Sequence, residues 1–210
     1  MNILMIGIQG SGKGTQAQRL TEELGLSHIS TGEICRDVDV NTPLGKKVRS
    51  YIDKGNLIPT DLMTELLKER LGQKDCQNGA ILEGYPRDIE QAKLLEDFFP
   101  LDHVILLKIS DQEALKRLTG RWICPKCEIS YNVNTEPRPK VLGICDKCGS
   151  KLFQRKDETP QAVKQRIEIF HNETEPLIKY YKDQGILLEI NGEQSIEKVQ
   201  KEIREKLEIK

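Results

Sequence analysis

The 210-residue chain has few aromatic side chains (one Trp, five Tyr and four Phe), and its acidic and basic residues nearly cancel, leaving a net charge of −1. Its core must therefore be mostly aliphatic. No global field draws it to nucleic acid or to a membrane surface, so any anion it binds must be held by local arginines and backbone amides. No apolar run nears the roughly 20 residues of a membrane-spanning helix. The opening MNILMIGIQG lacks a basic leader and breaks into glycine. That predicts a short strand, not a signal peptide, and a cytoplasmic location. Histidine is sparse: His28, His103 and His171 form no ligand cluster and receive no catalytic task. Cysteine is scarce but patterned. Cys35 and Cys76 stand alone and are expected as small buried apolar groups, while the other four form two CxxC pairs.

What the chain does have is alternation. Short apolar runs at 3–6, 80–82, 103–109 and 185–190 alternate with amphipathic stretches at 15–24, 61–71, 88–99, 111–118 and 160–183. A closing helix is expected over 195–209, with Ser195 as its N-cap. This order predicts an α/β fold with a doubly wound parallel sheet. Two segments depart from it. Residues 30–59 are polar and charged and read as a small helical insertion. Residues 120–158 are irregular, carry prolines at 125, 137 and 139 and hold both CxxC pairs. The expected organisation is a core of 1–29, 60–119 and 159–210 with two insertions, 30–59 and 120–158.

Gly7-Ile8-Gln9-Gly10-Ser11-Gly12-Lys13 fits GxxxxGK between a predicted strand and a predicted helix, the context this phosphate-binding motif requires. Its glycines let successive backbone N–H groups curl around phosphate oxygens, and the helix N-terminus adds its positive dipole end. Lys13 supplies a point charge for the outer phosphates.

Cys124-x2-Cys127, 17 intervening residues and Cys145-x2-Cys148 match the spacing of a four-cysteine zinc site. One CxxC could be a redox pair; two in one loop favour metal. With all four positions filled, such a zinc is structural. Glu128, Glu136 and Asp146 offset the lysines nearby, which argues against a nucleic-acid-binding ribbon.

Lys13 is followed by Gly14 and Thr15, an ending that resembles the nucleoside monophosphate kinases, adenylate kinases in particular. Their loop usually reads GxPGxGKGT; here Gln9 stands at the proline. The resemblance covers nearly the whole chain and implies a P-loop-type five-stranded sheet that moves the γ-phosphoryl group of ATP onto AMP. In that likeness Gly10, Ser11, Gly12, Lys13, Gly14 and Thr15 hold ATP. Thr31, Gly32 and Arg36 resemble the segment that receives AMP. Asn56, Leu57 and Ile58 lie in a turn whose backbone meets the AMP base. Gly84-Tyr85-Pro86-Arg87 resembles the family's GFPR, with Arg87 a second cation on the AMP phosphate and Gln91 offering its amide to adenine. Glu83 stands where the family mostly has Asp, and is expected to hold magnesium through water.

Arg117, Arg121, Arg155 and Arg166 complete the family's arginine set, with Trp122 where a second arginine is usual and Asp157-Glu158 where two aspartates are. Arg155 and Arg166 are assigned to AMP and to catalysis, and Arg117 and Arg121 to ATP, Arg121 also to catalysis. Ser130-Tyr131 resembles a lid segment over ATP, with Asn132 at the usual histidine, and Gln194 lies where backbone meets the ATP adenine. The likeness further implies a monomer that takes ATP with Mg²⁺ and carries Zn²⁺ in its lid. The same phosphate machinery would serve a UMP or CMP kinase, or a nucleotide-binding zinc protein that does not catalyse.

Overall fold

The computed structural model describes residues 1–52, 58–155 and 158–209, with Arg36 and Ile52 described by backbone alone. In chain order the first elements are β1 (Ile3–Ile6), α1 (Lys13–Leu24), β2 (Ser27–Ser30), α2 (Thr31–Asp37), α3 (Pro43–Ile52), α4 (Thr60–Leu71) and β3 (Ala80–Glu83). They continue as α5 (Ile89–Glu96), β4 (His103–Lys108), α6 (Asp111–Thr119), β5 (Arg121–Ile123), β6 (Ser130–Asn132), α7 (Pro160–Ile169), α8 (Pro176–Asp183), β7 (Leu187–Asn191) and α9 (Ile196–Lys206). Among the described residues no helix is long and apolar enough to cross a membrane.

Five strands form one parallel sheet in the order β2-β3-β1-β4-β7. Because successive side chains point to opposite faces, a strand covered on both sides must be apolar throughout, and β1 is: Leu4 and Ile6 join one cluster with Leu82, Val104, Leu106, Leu67, Leu95 and Tyr181. Ile3 and Met5 join the other, with Ala17, Leu20, Ile105, Ile190, Val199 and Ile203. Thus α4, α5 and α8 cover one face and α1 and α9 the other. A third cluster, Ile8, Ala114, Leu118, Val163, Ile167 and Phe170, packs α6 and α7 beside the end of β1.

Side-chain caps fix where helices begin. Asp88, Ser110, Thr159 and Ser195 each accept from a backbone N–H three residues on, as the Ser195 expectation required. Each such cap is worth about 1 kcal/mol.

Three expectations need correction. β2 was not expected as a strand: Ser27, His28 and Ser30 are polar, and the run Ser-His-Ile-Ser has no apolar alternation for the sheet to betray. The helix expected over 160–183 is two helices, α7 and α8, separated by a π-helical turn over Phe170–Thr174. Pro176 has no N–H for the α-helical ladder and its ring crowds the carbonyl four residues back, so the preceding turn widens and Glu175 N–H bonds Phe170 O at 2.8 Å. Finally, β7 begins at Leu187, after a turn at Gly185.

His171, on that π turn, ties two elements together. Its Nδ1 lies 2.7 Å from Glu175 and its Nε2 2.9 Å from Asp111, the first residue of α6. The carboxylates of Glu175 and Asp111 raise its pKa above the ordinary value. The stability this tie gives is full below the unfolded histidine pKa and is lost as pH rises through the higher folded one. His171→Gln should therefore cost about 0.5 kcal/mol at pH 5.5, solvent screening included, and close to nothing at pH 9. Urea midpoints at the two pH values check this; an equal loss at both would contradict it.

Candidate active site

The loops at the carboxyl ends of the parallel strands converge, the usual place for a ligand in such a sheet. The loop after β1 is fixed by close packing: Gly7 has φ 143, and a Cβ there would lie 2.5 Å from Leu107 O on β4. The chain then turns back, with Ser11 N–H bonding Ile8 O at 3.2 Å, and enters α1. The helix begins at Lys13, two residues before the expected start, so Gly14 and Thr15 lie in its first turn.

Lys13 Nζ donates to Gly7 O at 2.7 Å and to Ile8 O at 3.1 Å, folding back over the loop. Its pKa is lowered to about 8. Burial is the largest cause, and the charges of Arg166, Arg121 and Arg87 add to it, opposed by Glu83. Three arginines separated by up to 79 positions, the span from 87 to 166, thus act on one ammonium group. They arrive from the loop after β3, from β5 and from α7. Such mutual repulsion among fixed cations suits a site for several phosphates.

Each cation has its own support. Arg121 donates through Nε to Glu158 Oε1 at 2.9 Å and makes a second bond through Nη2. Glu158 is buried, and its other oxygen has no hydrogen-bond partner among the described residues. Arg117 donates to Glu113 at 2.8 Å and to Gly192 O at 2.9 Å, with a longer contact of 3.4 Å to Gly10 O, so it ties the loop after β7 to the loop after β1. Arg87 Nε donates to Gly84 O at 3.1 Å, and its side chain is exposed. Arg166 is half-buried on α7, and Arg155 half-buried near the end of the cysteine-bearing segment.

Glu83 ends β3 beside α1: its Oε2 would lie 3.6 Å from a Cβ on Gly14. Burial acts to raise the Glu83 pKa, but His28, Lys13 and Arg121 outweigh it and hold the carboxyl below its usual range. His28, on β2, reaches it at 3.7 Å. Sequence reasoning missed this histidine, because only strand pairing brings residues 28 and 83 together.

On the other side of β3, Gly84 has φ 87, and a Cβ there would lie 2.5 Å from Thr31 Oγ1. Thr31, the first residue of α2, therefore sits against the Gly84 turn, and Gly32 follows it, exposed. Gln91 is already committed: its Oε1 accepts from Arg87 N–H at 2.9 Å and its Nε2 donates to Thr60 at 3.3 Å. Asn56 and Leu57 lie outside the described residues, as does the Arg36 side chain; Ile58 packs against the core.

Several of the side chains in the assigned segments make contacts within the protein. Tyr85 is buried with its hydroxyl 2.9 Å from Thr64, and Pro86 is buried beside it. Tyr131 is buried among the cysteines, 3.6 Å from the Cys145 sulfur, and its hydroxyl accepts from Asp146 N–H at 3.0 Å. Ser130 is exposed beside it on β6. Asn132 braces the segment: Nδ2 donates to Arg117 O at 2.7 Å and Oδ1 accepts from Asn134 N–H at 2.8 Å. Gln194 Nε2 donates to Glu202 at 2.6 Å.

β5 and β6 form a separate antiparallel pair, with Cys124 and Cys127 in the loop between them and Cys145 and Cys148 beyond β6. The four Sγ atoms lie within 4.8 Å of one another, and those of Cys124 and Cys148 are 3.5 Å apart. A disulfide needs about 2.05 Å. Four sulfurs at about 2.3 Å from a central zinc sit about 3.8 Å apart, so this set fits a tetrahedral divalent ion. Cys127 N–H donates to Cys124 Sγ at 3.4 Å, which supports a thiolate. Left to themselves the thiols compete. Cys148 falls to about 6 through the Ser150 hydroxyl and N–H, while Cys127, hydrogen-bonded to Cys148 and close to Cys124, is pushed up to about 12. A divalent cation removes that conflict.

The family model for adenylate kinase matches residues 5–186. The adenylate kinase of Clostridium botulinum is 44% identical over 205 residues, covering 95% of this chain and 94% of the relative. That of Caldicellulosiruptor saccharolyticus is 44% identical over 209 residues, 97% of each chain. That of Bacillus velezensis is 42% identical over 213 residues, 99% of this chain and 98% of the relative.

Proposed function

Since the chain belongs to the adenylate kinase family and transfers a phosphoryl group from ATP to AMP, we propose that its transfer centre is the meeting point of Lys13, Arg87, Arg121 and Arg166. The observation that carries this assignment is the combined field of those three arginines on the one lysine.

The acceptor is an AMP phosphate oxygen, already ionised at neutral pH, so no general base is needed. The barrier instead comes from bringing two anions together and spreading charge over the transferring group. Gly10, Ser11, Gly12, Gly14 and Thr15 bind the ATP phosphates through backbone amides and the Thr15 hydroxyl. Lys13, Arg121, Arg155 and Arg166 neutralise the group in transit. Arg36 and Arg87 hold the AMP phosphate in line, and Thr31, Gly32 and the 56–58 turn receive its base. Glu158 keeps the Arg121 guanidinium extended before phosphate arrives. Family members use ATP with magnesium, whose charge offsets the β- and γ-phosphates; Glu83 is the carboxylate placed to hold its water.

The segment 30–59 covers AMP and the segment 120–158 covers ATP, excluding water as a competing acceptor. The four cysteines hold zinc, which fixes the shape of the second segment. A cytoplasmic monomer suits this reading, since paired thiols stay reduced there and the assigned side chains all belong to one chain.

ADP formation from ATP plus AMP, with UMP, CMP and GMP in parallel and Mg²⁺ present, tests the assignment. Arg87→Ala should lower the rate with AMP by about tenfold or more, through loss of a charge-assisted phosphate contact worth at least about 1.4 kcal/mol. An unchanged rate would move the acceptor site elsewhere.

A further inference from the structure

Glu83 has one more methylene than the aspartate usual at its position, and so one more torsion to fix. The structure supplies a group that can fix it. β2 pairs with β3 so that His28 stands opposite Ile81 and Ser30 opposite Glu83. Paired residues of parallel strands share a face, and Glu83 is two residues beyond Ile81, so His28 and Glu83 are diagonal neighbours on the face that α1 covers. His28 Nε2 lies 3.7 Å from Glu83 Oε2, and each side chain is 20% exposed. Both atoms are buried, and neither has a hydrogen-bond partner among the described residues. The same Oε2 faces Gly14 in the first turn of α1, where the helix dipole favours an anion. The carboxylate is thus bracketed between an imidazole on one side and the phosphate-bearing helix start on the other.

We propose that His28 is a positioning residue: it braces the longer Glu83 side chain from the neighbouring strand so that its carboxylate stays beside the phosphate loop, where it orients the water of the ATP-bound cation. The proposal rests on the assignment of Glu83 to that cation made above. It gives His28 a task that neither its sequence context nor the transfer chemistry calls for. A carboxylate that is not braced can swing along β3, and the cation then loses its outer-sphere partner while the triphosphate keeps all of its own.

The test measures Mn²⁺ binding to the enzyme–ATP complex by water-proton relaxation, alongside steady-state rates, in four variants: His28→Leu, His28→Gln, Glu83→Gln and the double His28→Leu/Glu83→Gln. His28→Leu should weaken Mn²⁺ binding about tenfold, as loss of an outer partner does at other metal sites. The KM for AMP and the melting temperature should stay as they are. His28→Gln, whose Nε2 can reach the same oxygen, should recover most of the affinity. Glu83→Gln should weaken binding at least as much as His28→Leu, and the double variant no more than Glu83→Gln alone.

If His28→Leu leaves Mn²⁺ affinity within twofold of the parent while Glu83→Gln weakens it, the positioning role is wrong and the Glu83 assignment stands. If Glu83→Gln itself changes nothing, that assignment fails and takes this inference with it. If both His28 variants lose Mn²⁺ affinity, AMP affinity and melting temperature together, His28 is a packing residue only and the proposal is overturned.

Discussion

Replacing Lys13 by methionine lowers kcat/KM for ATP with AMP by about 10²- to 10³-fold, the loss of about 3–4 kcal/mol that follows removal of one fixed group aimed at developing charge. The size follows from how the lysine is held. Two carbonyls of its own loop, at 2.7 and 3.1 Å, grip its ammonium, so little ordering remains when phosphate arrives. Methionine keeps the apolar stem and lacks only the terminal ammonium, so the fold should persist and the melting temperature should hardly move.

A pH signature goes with this loss. Burial and the nearby arginines set the Lys13 pKa at about 8, so its charged fraction falls as pH rises through that value in the free protein. Phosphate binding favours the charged form. ATP affinity should therefore decline above pH 8, with proton uptake on binding seen by calorimetry in buffers of different ionisation enthalpy. Lys13→Met should abolish that uptake. A variant within tenfold of the parent, or one whose proton uptake persists, would remove Lys13 from the transfer centre.

The parts legible in the sequence are those whose chemistry demands fixed residue types at fixed spacing. The phosphate loop needs glycines where the backbone touches β4, and a four-sulfur site needs its two CxxC turns. The apolar runs of β1, β3 and β4 were legible because both faces of the sheet are covered. β2 was not, since its polar residues face groups far along the chain: Ser27 bonds Asp75 at 2.8 Å, and His28 stands 3.7 Å from the Glu83 carboxylate. Nor could a local pattern separate side chains that touch ligand from those that shape the loops. Tyr85 and Asn132 fall within motifs of the family, yet their polar atoms are engaged by Thr64 and by the Arg117 carbonyl. Glu158 shows the same limit from the other direction: it stands 37 positions from Arg121, and only folding reveals that the two are bonded.

Removing the metal from the four cysteines lowers the melting temperature by roughly 6–20 °C, and one zinc per chain is the expected content of the native protein. The apolar cluster in this segment is small: Cys124, Tyr131, Cys145 and Leu152, with Trp122, Cys127 and Ile129 packed against them. Two of its four buried members are themselves cysteines, and Val141, Leu142 and Phe153 are exposed. Such a cluster cannot offset the entropy of ordering the segment, at about 1–2 kcal/mol per residue for the backbone alone. Structural zinc contributes about 10–16 kcal/mol in isolated zinc-finger peptides. Part of that is lost to local opening that leaves the sheet intact, so the globally coupled share is taken as about 3–5 kcal/mol. At about 2–4 °C per kcal/mol for a chain of this size, this gives the shift stated. Chemistry should survive in part, because Lys13, Arg87 and Arg166 lie outside the segment; what should rise is the ratio of inorganic phosphate released to AMP consumed, as water reaches the γ-phosphate. A metal-free sample that melts with the native one, and hydrolyses no more ATP, would leave the cysteines without the structural role assigned to them.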